Sequence, residues 1–326
     1  MRIAPYGEDS ALLEPPARAC TLTDVSSQIL RHGTVFSKHS MATAKRLARI
    51  LVPREVRNWL RSPTNSMGWA WAQAKYLVGA KHVVQMRPGW SLICHPAAFR
   101  FAYFSQNDDP DQVAEFDCFI KEITPGAVLF DIGAHFGLFS LAALHYGGAN
   151  SIALAVDPSP IAAQLIKKQA RLNGVSNRFH IVQAAVSDRM GWQSMVSVGI
   201  LSSGYFVPPS TEHTASELTQ TRTTTLDRLV EEFNLLPTHV KIDVEGYELG
   251  VISGGVKLLS RDNAPLLFIE LHNEIVRQNG GSPTEMLRLL RTLSYEIFAT
   301  NGDRIDDQEI LNRPLIRIVA KRNSRL

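Results

Sequence analysis

Cysteine is scarce. The chain has three, Cys20, Cys94 and Cys118, odd in number, far apart and without metal-ligand spacing. A reducing compartment therefore fits better than a disulfide framework, and the spacing offers no cysteine-built metal site. Long apolar runs are missing too. No segment reaches the roughly 18–20 uninterrupted apolar residues that a spanning helix requires. Residues 1–20 hold Glu8, Asp9, Glu14 and three prolines, with no apolar core of a secretory signal. The expectation is a cytoplasmic protein without a transmembrane segment. No internal repeat is present. Net charge is low, +3 over 326 residues, but unevenly spread. Residues 1–107 hold 14 Lys/Arg against 5 Asp/Glu, whereas residues 108–326 hold 20 against 26. Such a basic arm on a mildly acidic body suits an anionic partner or a solvated basic face.

Three regions follow from the pattern: a poorly ordered lead-in over 1–40, an N-terminal helical and hairpin extension over 41–108, and a catalytic-type domain over 109–326. Residues 42–61 set Leu47, Ile50, Leu51, Val56, Trp59 and Leu60 against six Lys/Arg at helical spacing, broken at Pro53. This element can make peripheral contact with an anionic membrane surface, or cap the core of its own domain. Residues 68–80 read as a helix, 82–96 as a hairpin turning at Pro88-Gly89, and 109–123 as a helix. Trp69, Trp71 and Tyr76 read as core aromatics or as a stacking surface for a sugar ring.

Beyond Pro125-Gly126, strands and helices alternate. Strands are expected at 128–132, 152–156, 180–185, 239–244, 266–271, 295–300 and 315–320, and helices at 137–146, 161–173, 225–234, 247–259 and 283–293. Alternation of this kind predicts an α/β fold, a doubly wound and mostly parallel sheet. Thr224-x-x-Asp227 reads as a capping box for the helix after it. Residues 190–222, rich in Ser, Thr, Gly and Pro, form an insert with two short β-like pieces, and the insert carries Tyr205 and Phe206. Such a loop over the carboxyl edge would shape an acceptor site.

The stretch VLFDIGAHFGLFSLAAL (128–144) is a core strand and a core helix interrupted by a polar turn. Asp131, Gly133, Ala134, His135 and Gly137 fall where ligands sit in open α/β sheets. The loop lacks the dinucleotide fingerprint G-x-G-x-x-G and carries a carboxylate before the turn glycine. A carboxylate there suits a cationic ligand group, such as the ammonium or sulfonium of S-adenosylmethionine, which has no phosphate. Asp157 ends the next strand, 20 residues after Gly137, where an acid can accept both ribose hydroxyls. Ala185 would wall the adenine, with Ser187 or Asp188 at its amide edge.

With these segments in place, the sequence resembles the FkbM family of S-adenosylmethionine-dependent methyltransferases. VLFDIGAHFGLFSL, AVDPSP, QAAVSDRMG and the run from TTTLDRLV through HVKIDVEGYELGVISGGVKLL to LLFIELH carry the resemblance, over roughly 109–320. KIDVEGYE, Lys241 to Glu248, is its most diagnostic part. The resemblance implies a class I methyltransferase, Rossmann-like, seven-stranded sheet with the last strand antiparallel, S-adenosyl-L-methionine as cofactor, and O-methylation of a saccharide, lipid-linked glycan or natural product. His135 stands where Asn is commoner, and Asp157 where Glu is.

Methyl transfer to a hydroxyl needs alignment, exclusion of water and removal of a proton. Asp243 and Glu245 end the fourth strand of the domain, and Glu270 and His272 the fifth. Neighbouring strands lie about 5 Å apart, so the four could converge. His272 or Glu245 is expected as the base, with Asp243 shaping the pocket. Alternatively, Lys241–Glu245 and Glu270–His272 form a structural charge network. Asp243, Glu270, His272 and Asn273 are compatible with Mg²⁺ or Mn²⁺, but their spacing fixes no geometry and no metal is expected. The domain could also be a non-catalytic binding or scaffold module. Nucleic acid is not expected as a partner, since acidic D-V-E-G stands where a base pocket such as N-P-P-Y would be. The acceptor is expected to be a small molecule or glycan.

Overall fold

The computed structural model describes residues 66–104, 109–196, 205–206 and 218–322. The lead-in 1–40, the basic stretch 42–61 and most of the insert lie outside the described residues. The described chain begins with α1 (Ser66–Leu77), followed by the hairpin β1 (His82–Arg87) and β2 (Trp90–Cys94) and by α2 (Phe99–Phe104). The hairpin turns at Pro88-Gly89 as expected, with Gly89 at φ +81°. Trp69 and Tyr76 pack against the ring of His95, while Trp71 is 53% exposed. α3 (Pro110–Glu122) starts on Asp109, whose side chain accepts from the backbone N–H of Asp111 and Gln112.

Strands and helices then alternate: β3 (Val128–Ile132), α4 (Leu138–Tyr146), β4 (Ile152–Val156), α5 (Pro160–Leu172) and β5 (Phe179–Val182). The expected third strand splits. Its end, β6 (Ala185–Val186), leaves the main sheet and joins β7 (Gly191–Val196), β8 (Tyr205–Phe206) and β9 (Leu218–Thr224) in a four-stranded sheet. Next come α6 (Leu226–Phe233), β10 (His239–Ile242), α7 (Glu248–Ser253), α8 (Val256–Leu259) and β11 (Leu266–Leu271). The last described elements are α9 (Asn273–Gln278), α10 (Pro283–Thr292), β12 (Tyr295–Ala299), α11 (Asp307–Asn312) and β13 (Ile316–Arg322).

The single helix expected over 247–259 breaks at Gly254-Gly255, and only glycine fits at 254, where a Cβ would lie 2.0 Å from the Ser187 carbonyl oxygen. The expected capping box shifts by one residue. Thr225, not Thr224, caps α6, and Asp227 instead accepts from the backbone N–H of Lys257 and Leu258, capping α8.

The main sheet has the order β12–β13–β11–β10–β3–β4–β5. β13 is antiparallel to its neighbours β11 and β12, and the other pairings are parallel. This is the Rossmann-like sheet of class I methyltransferases. Period-two alternation sorts the side chains. Phe130, Ile132, Leu154, Val156, Val240, Ile242, Leu267 and Ile269 face the helices α6, α7, α8 and α10. Leu129, Ala153, Ala155 and Phe268 face α3, α4, α5 and the hairpin. On that second face the strands also carry charge: Asp131, Lys241, Glu270 and Arg317. Strand order reverses between β3 and β10, so a crevice opens at their carboxyl ends.

Candidate active site

The turn after β3 is bound tightly to its surroundings. Gly133 and Ala134 both donate to the carbonyl of Val156, at 2.9 and 3.2 Å. Gly133 has φ +83°, and a Cβ on it would lie 1.7 Å from the Asp243 carbonyl oxygen. Only glycine fits where β3 and β10 part. His135 is also left-handed, at φ +53°, and its ring meets Phe101 and Phe136 edge-on. Its N–H donates to Asp157 Oδ2 at 2.8 Å, and the Ser159 N–H donates to Oδ1 at 2.8 Å. Burial outweighs these two bonds and raises Asp157 to about 6. Each of its oxygens keeps a lone pair for a further donor.

Gly133, Asp157, Ala185, Val186, Met195 and Asp243 line a narrow slot over the strand ends. Of the residues expected at the cofactor site, Asp131, Ala134, His135, Gly137 and Ser187 do not line this slot, and Asp131 and Ser187 lie buried behind it. Asp131 is 2% exposed, and its Oδ2 accepts from the Ser140 N–H (3.0 Å) and hydroxyl (2.7 Å), tying down the first turn of α4. Burial raises it to about 6. Ser187 is fully buried, donating its N–H to Thr224 and its hydroxyl to Asp188. Gly137, at φ +81°, starts α4 beneath the turn.

Asp243 joins this slot to a second group of side chains. His272 Nε2 lies 3.9 Å from Asp243 Oδ1 and 3.5 Å from Glu245 Oε2. On the opposite ring edge, Nδ1 lies 2.9 Å from Oε1 of Glu248, a fully buried carboxylate that also accepts from the Gly246 N–H. Glu245 (φ +53°) and Gly246 (φ +94°) form a left-handed turn that folds Glu245 back over the end of β10. Burial alone would lower His272, but Glu248, Asp243 and Glu245 raise it to about 9. Burial and the neighbouring Glu270 raise Asp243 to about 8, and burial raises Glu245.

Glu270 takes a different place. It accepts from Arg317 at 2.8 Å and lies 3.7 Å from Lys241 Nζ. Lys241 is 1% exposed and pairs with Glu115 of α3 at 2.7 Å. Burial opposes its charge, and Glu115, Asp243 and Glu270 restore it, so Lys241 stays protonated. The expected four-residue convergence thus divides. Asp243, Glu245 and His272 gather at the lip, and Glu270 sits one step deeper in a buried ionic network. Asn273, grouped with the possible metal ligands in the sequence, instead donates to the carbonyls of Ile310 and Arg313. Glu248, Glu115 and Arg317 had no assigned role in the sequence. A cavity of about 610 Å³ opens beside Gly246 and Tyr247, with Arg189, Gln193, Asn279 and Ser282 among its walls.

The family model for the methyltransferase FkbM domain matches residues 131–297. No curated protein matches the chain. Among solved structures, the chain is similar to precorrin-6y C5,15-methyltransferase from Geobacter metallireducens GS-15. That likeness has 11% identity and a TM-score of 0.37, over 65% of this chain and 88% of that one. It is also similar to a TehB-like SAM-dependent methyltransferase from Corynebacterium glutamicum ATCC 13032 Kitasato. There the identity is 11% and the TM-score 0.38, over 69% of this chain and 96% of that one.

Proposed function

Because the chain belongs to the methyltransferase FkbM family, we propose that it moves the methyl group of S-adenosylmethionine to a hydroxyl of a saccharide, lipid-linked glycan or natural product. The observation that carries this reading is the position of Asp243, which borders the slot and also faces His272. A cofactor in the slot would present its methyl beside the group of side chains suited to deprotonating a hydroxyl.

In this reading the ribose hydroxyls donate to Asp157, and Ala185 and Val186 flank the adenine. Asp188, oriented by Ser187, meets the amide edge of the base. The backbone of Gly133, Ala134 and His135 follows the methionine part. Asp131 braces the loop from below and adds negative potential under the sulfonium. Met195 closes the slot, and its unbranched side chain can move aside. The acceptor enters through the cavity beside Gly246.

The reaction is an in-line displacement. When bound, S-adenosylmethionine would supply a methyl on a positively charged sulfur, which the acceptor oxygen would take as the carbon–sulfur electron pair returns to sulfur and leaves a neutral thioether. The hydroxyl proton passes to Glu245, whose raised pKa improves it as a base. His272, charged at neutral pH and fixed by Glu248, holds Glu245 and Asp243 in place. Glu270 supports the lip through Lys241 and Arg317.

Calorimetric titration with S-adenosylhomocysteine, paired with methyl transfer from labelled S-adenosylmethionine to a panel of hydroxylated acceptors, tests the reading. Glu245→Gln and His272→Asn should lower turnover by about 10²-fold while leaving S-adenosylhomocysteine binding intact. Absence of cofactor binding up to millimolar concentration would favour a scaffold role instead.

A further inference from the structure

We propose that Asp243, Glu245 and His272 together bind a divalent cation, Mn²⁺ by the character of the donors, at the lip of the crevice. Each residue offers one ligand atom, and the three atoms lie within 4.8 Å of one another. Nε2 stands 3.5 Å from Glu245 Oε2 and 3.9 Å from Asp243 Oδ1. Ligands about 2.1 Å from a hard cation sit roughly 3 Å apart at adjacent positions. Closing the set therefore takes movements under about 1 Å. The two carboxylates are about one-third exposed and free to make them, at 34% and 36%.

The histidine is already arranged as a ligand. Glu248 holds Nδ1, so the ring turns Nε2 toward the two carboxylates, and a bound cation would take the place of the proton that Nε2 carries in the empty site. A buried outer carboxylate that orients a ligating imidazole is a common companion of bound metal. Glu248 is itself 0% exposed and also accepts from the Gly246 N–H. Its second oxygen, Oε2, is buried with no hydrogen-bond partner. Three carboxylates surround one imidazole. The nearby cations, Lys241 and Arg317, are engaged by Glu115, Glu270 and Asp109. A divalent cation supplies the missing positive charge.

Two carboxylate oxygens and one imidazole nitrogen suit Mn²⁺, and the nitrogen favours it over Mg²⁺ and Ca²⁺; zinc accepts the same donors and would compete with it. Three protein ligands leave coordination positions open, one of which an acceptor hydroxyl arriving from the cavity beside Gly246 would take. This consequence rests on the proposed methyl transfer, whereas cation binding does not. Coordination through Glu245 Oε2 alone leaves Oε1 for the hydroxyl proton.

The test uses the full chain stripped with EDTA and titrated with Mn²⁺, followed by electron paramagnetic resonance of the free ion. One bound Mn²⁺ per chain is expected. Asp243→Asn and Glu245→Gln should each weaken it at least about tenfold, and Glu248→Gln about tenfold through the histidine. Glu231→Gln on the exposed face of α6 should leave it unchanged, and circular dichroism checks that each variant is folded. No binding up to millimolar Mn²⁺, or binding indifferent to the Asp243 and Glu245 substitutions, overturns the proposal. S-adenosylhomocysteine titration of the stripped chain separates the two failures. Cofactor binding without Mn²⁺ binding removes the cation site alone; loss of both removes the methyl-transfer reading as well.

Discussion

Replacing Gly133 by alanine tests how closely the two halves of the sheet meet. Two costs are separable. The first is conformational: at φ +83° a non-glycine residue loses about 1–2 kcal/mol. The second is steric. The new Cβ would sit 1.7 Å from the Asp243 carbonyl oxygen, against an ordinary approach of about 3.3 Å. The turn or the end of β10 must therefore shift by roughly 1.5 Å, and neither is a flexible side-chain tip. Gly148→Ala is the control, because Gly148 has φ +78° but nothing within 4 Å of its would-be Cβ. Gly148→Ala should lower Tm by about 2–4 °C for each kcal/mol of conformational cost. Gly133→Ala should lower it by at least twice as much. It should also weaken S-adenosylhomocysteine binding and slow methyl transfer about 10²-fold, since displacements near 1 Å of reacting groups cost that much in rate. Differential scanning calorimetry and isothermal titration supply the readouts. Equal Tm losses for the two variants, with cofactor affinity intact, would show that the turn does not bear on β10.

Three further outcomes are expected. Lys241→Met leaves Glu115 and Glu270 with Arg317 as their one remaining shared cation and should cost about 3–5 kcal/mol in urea unfolding; adding Glu115→Gln should recover part of it, and an unchanged midpoint in the single variant would refute the buried network. Cofactor affinity should fall as pH drops through about 6, where Asp157 gains its proton. By itself, that raised carboxyl disfavours the empty fold as pH rises from about 4, so binding and stability should change with opposite signs; calorimetry from pH 5 to 8 decides. Asp227→Ala removes both N–H acceptors at the start of α8 and should cost about 1 kcal/mol, read by thermal unfolding.

Much of the sheet was legible because its strands are short apolar runs bounded by turn residues. Val128–Ile132 and Ile152–Val156 fell where alternation and length put them. The slot-forming Gly133 and Asp157 were legible from their places at successive strand ends. What escaped were non-local or short-range departures. Nothing local to Glu115 or Arg317 announces that each meets Glu270's neighbourhood across more than a hundred or some forty residues of chain. α9 and α11, six residues each, are too short to show helical periodicity. The division of Glu270 from His272 depends on depth along a strand, which a pattern of alternating faces does not contain. Glu248 gained its place only because Glu245 and Gly246 turn left-handed and bring α7 back toward β11.

The position of β13 has a consequence for synthesis. It lies between β11 and β12, so β12 has no partner in the main sheet until residues 316–322 arrive. Arg317, which grips Glu270 and Glu115, arrives with them. A nascent chain that has emerged only as far as α11 would leave β11 as a bare apolar border, open to pairing with other chains. Closure of this sheet must therefore await nearly the whole domain's exit from the ribosome, and a stop codon upstream of Ile316 should yield aggregated polypeptide instead of a trimmed enzyme.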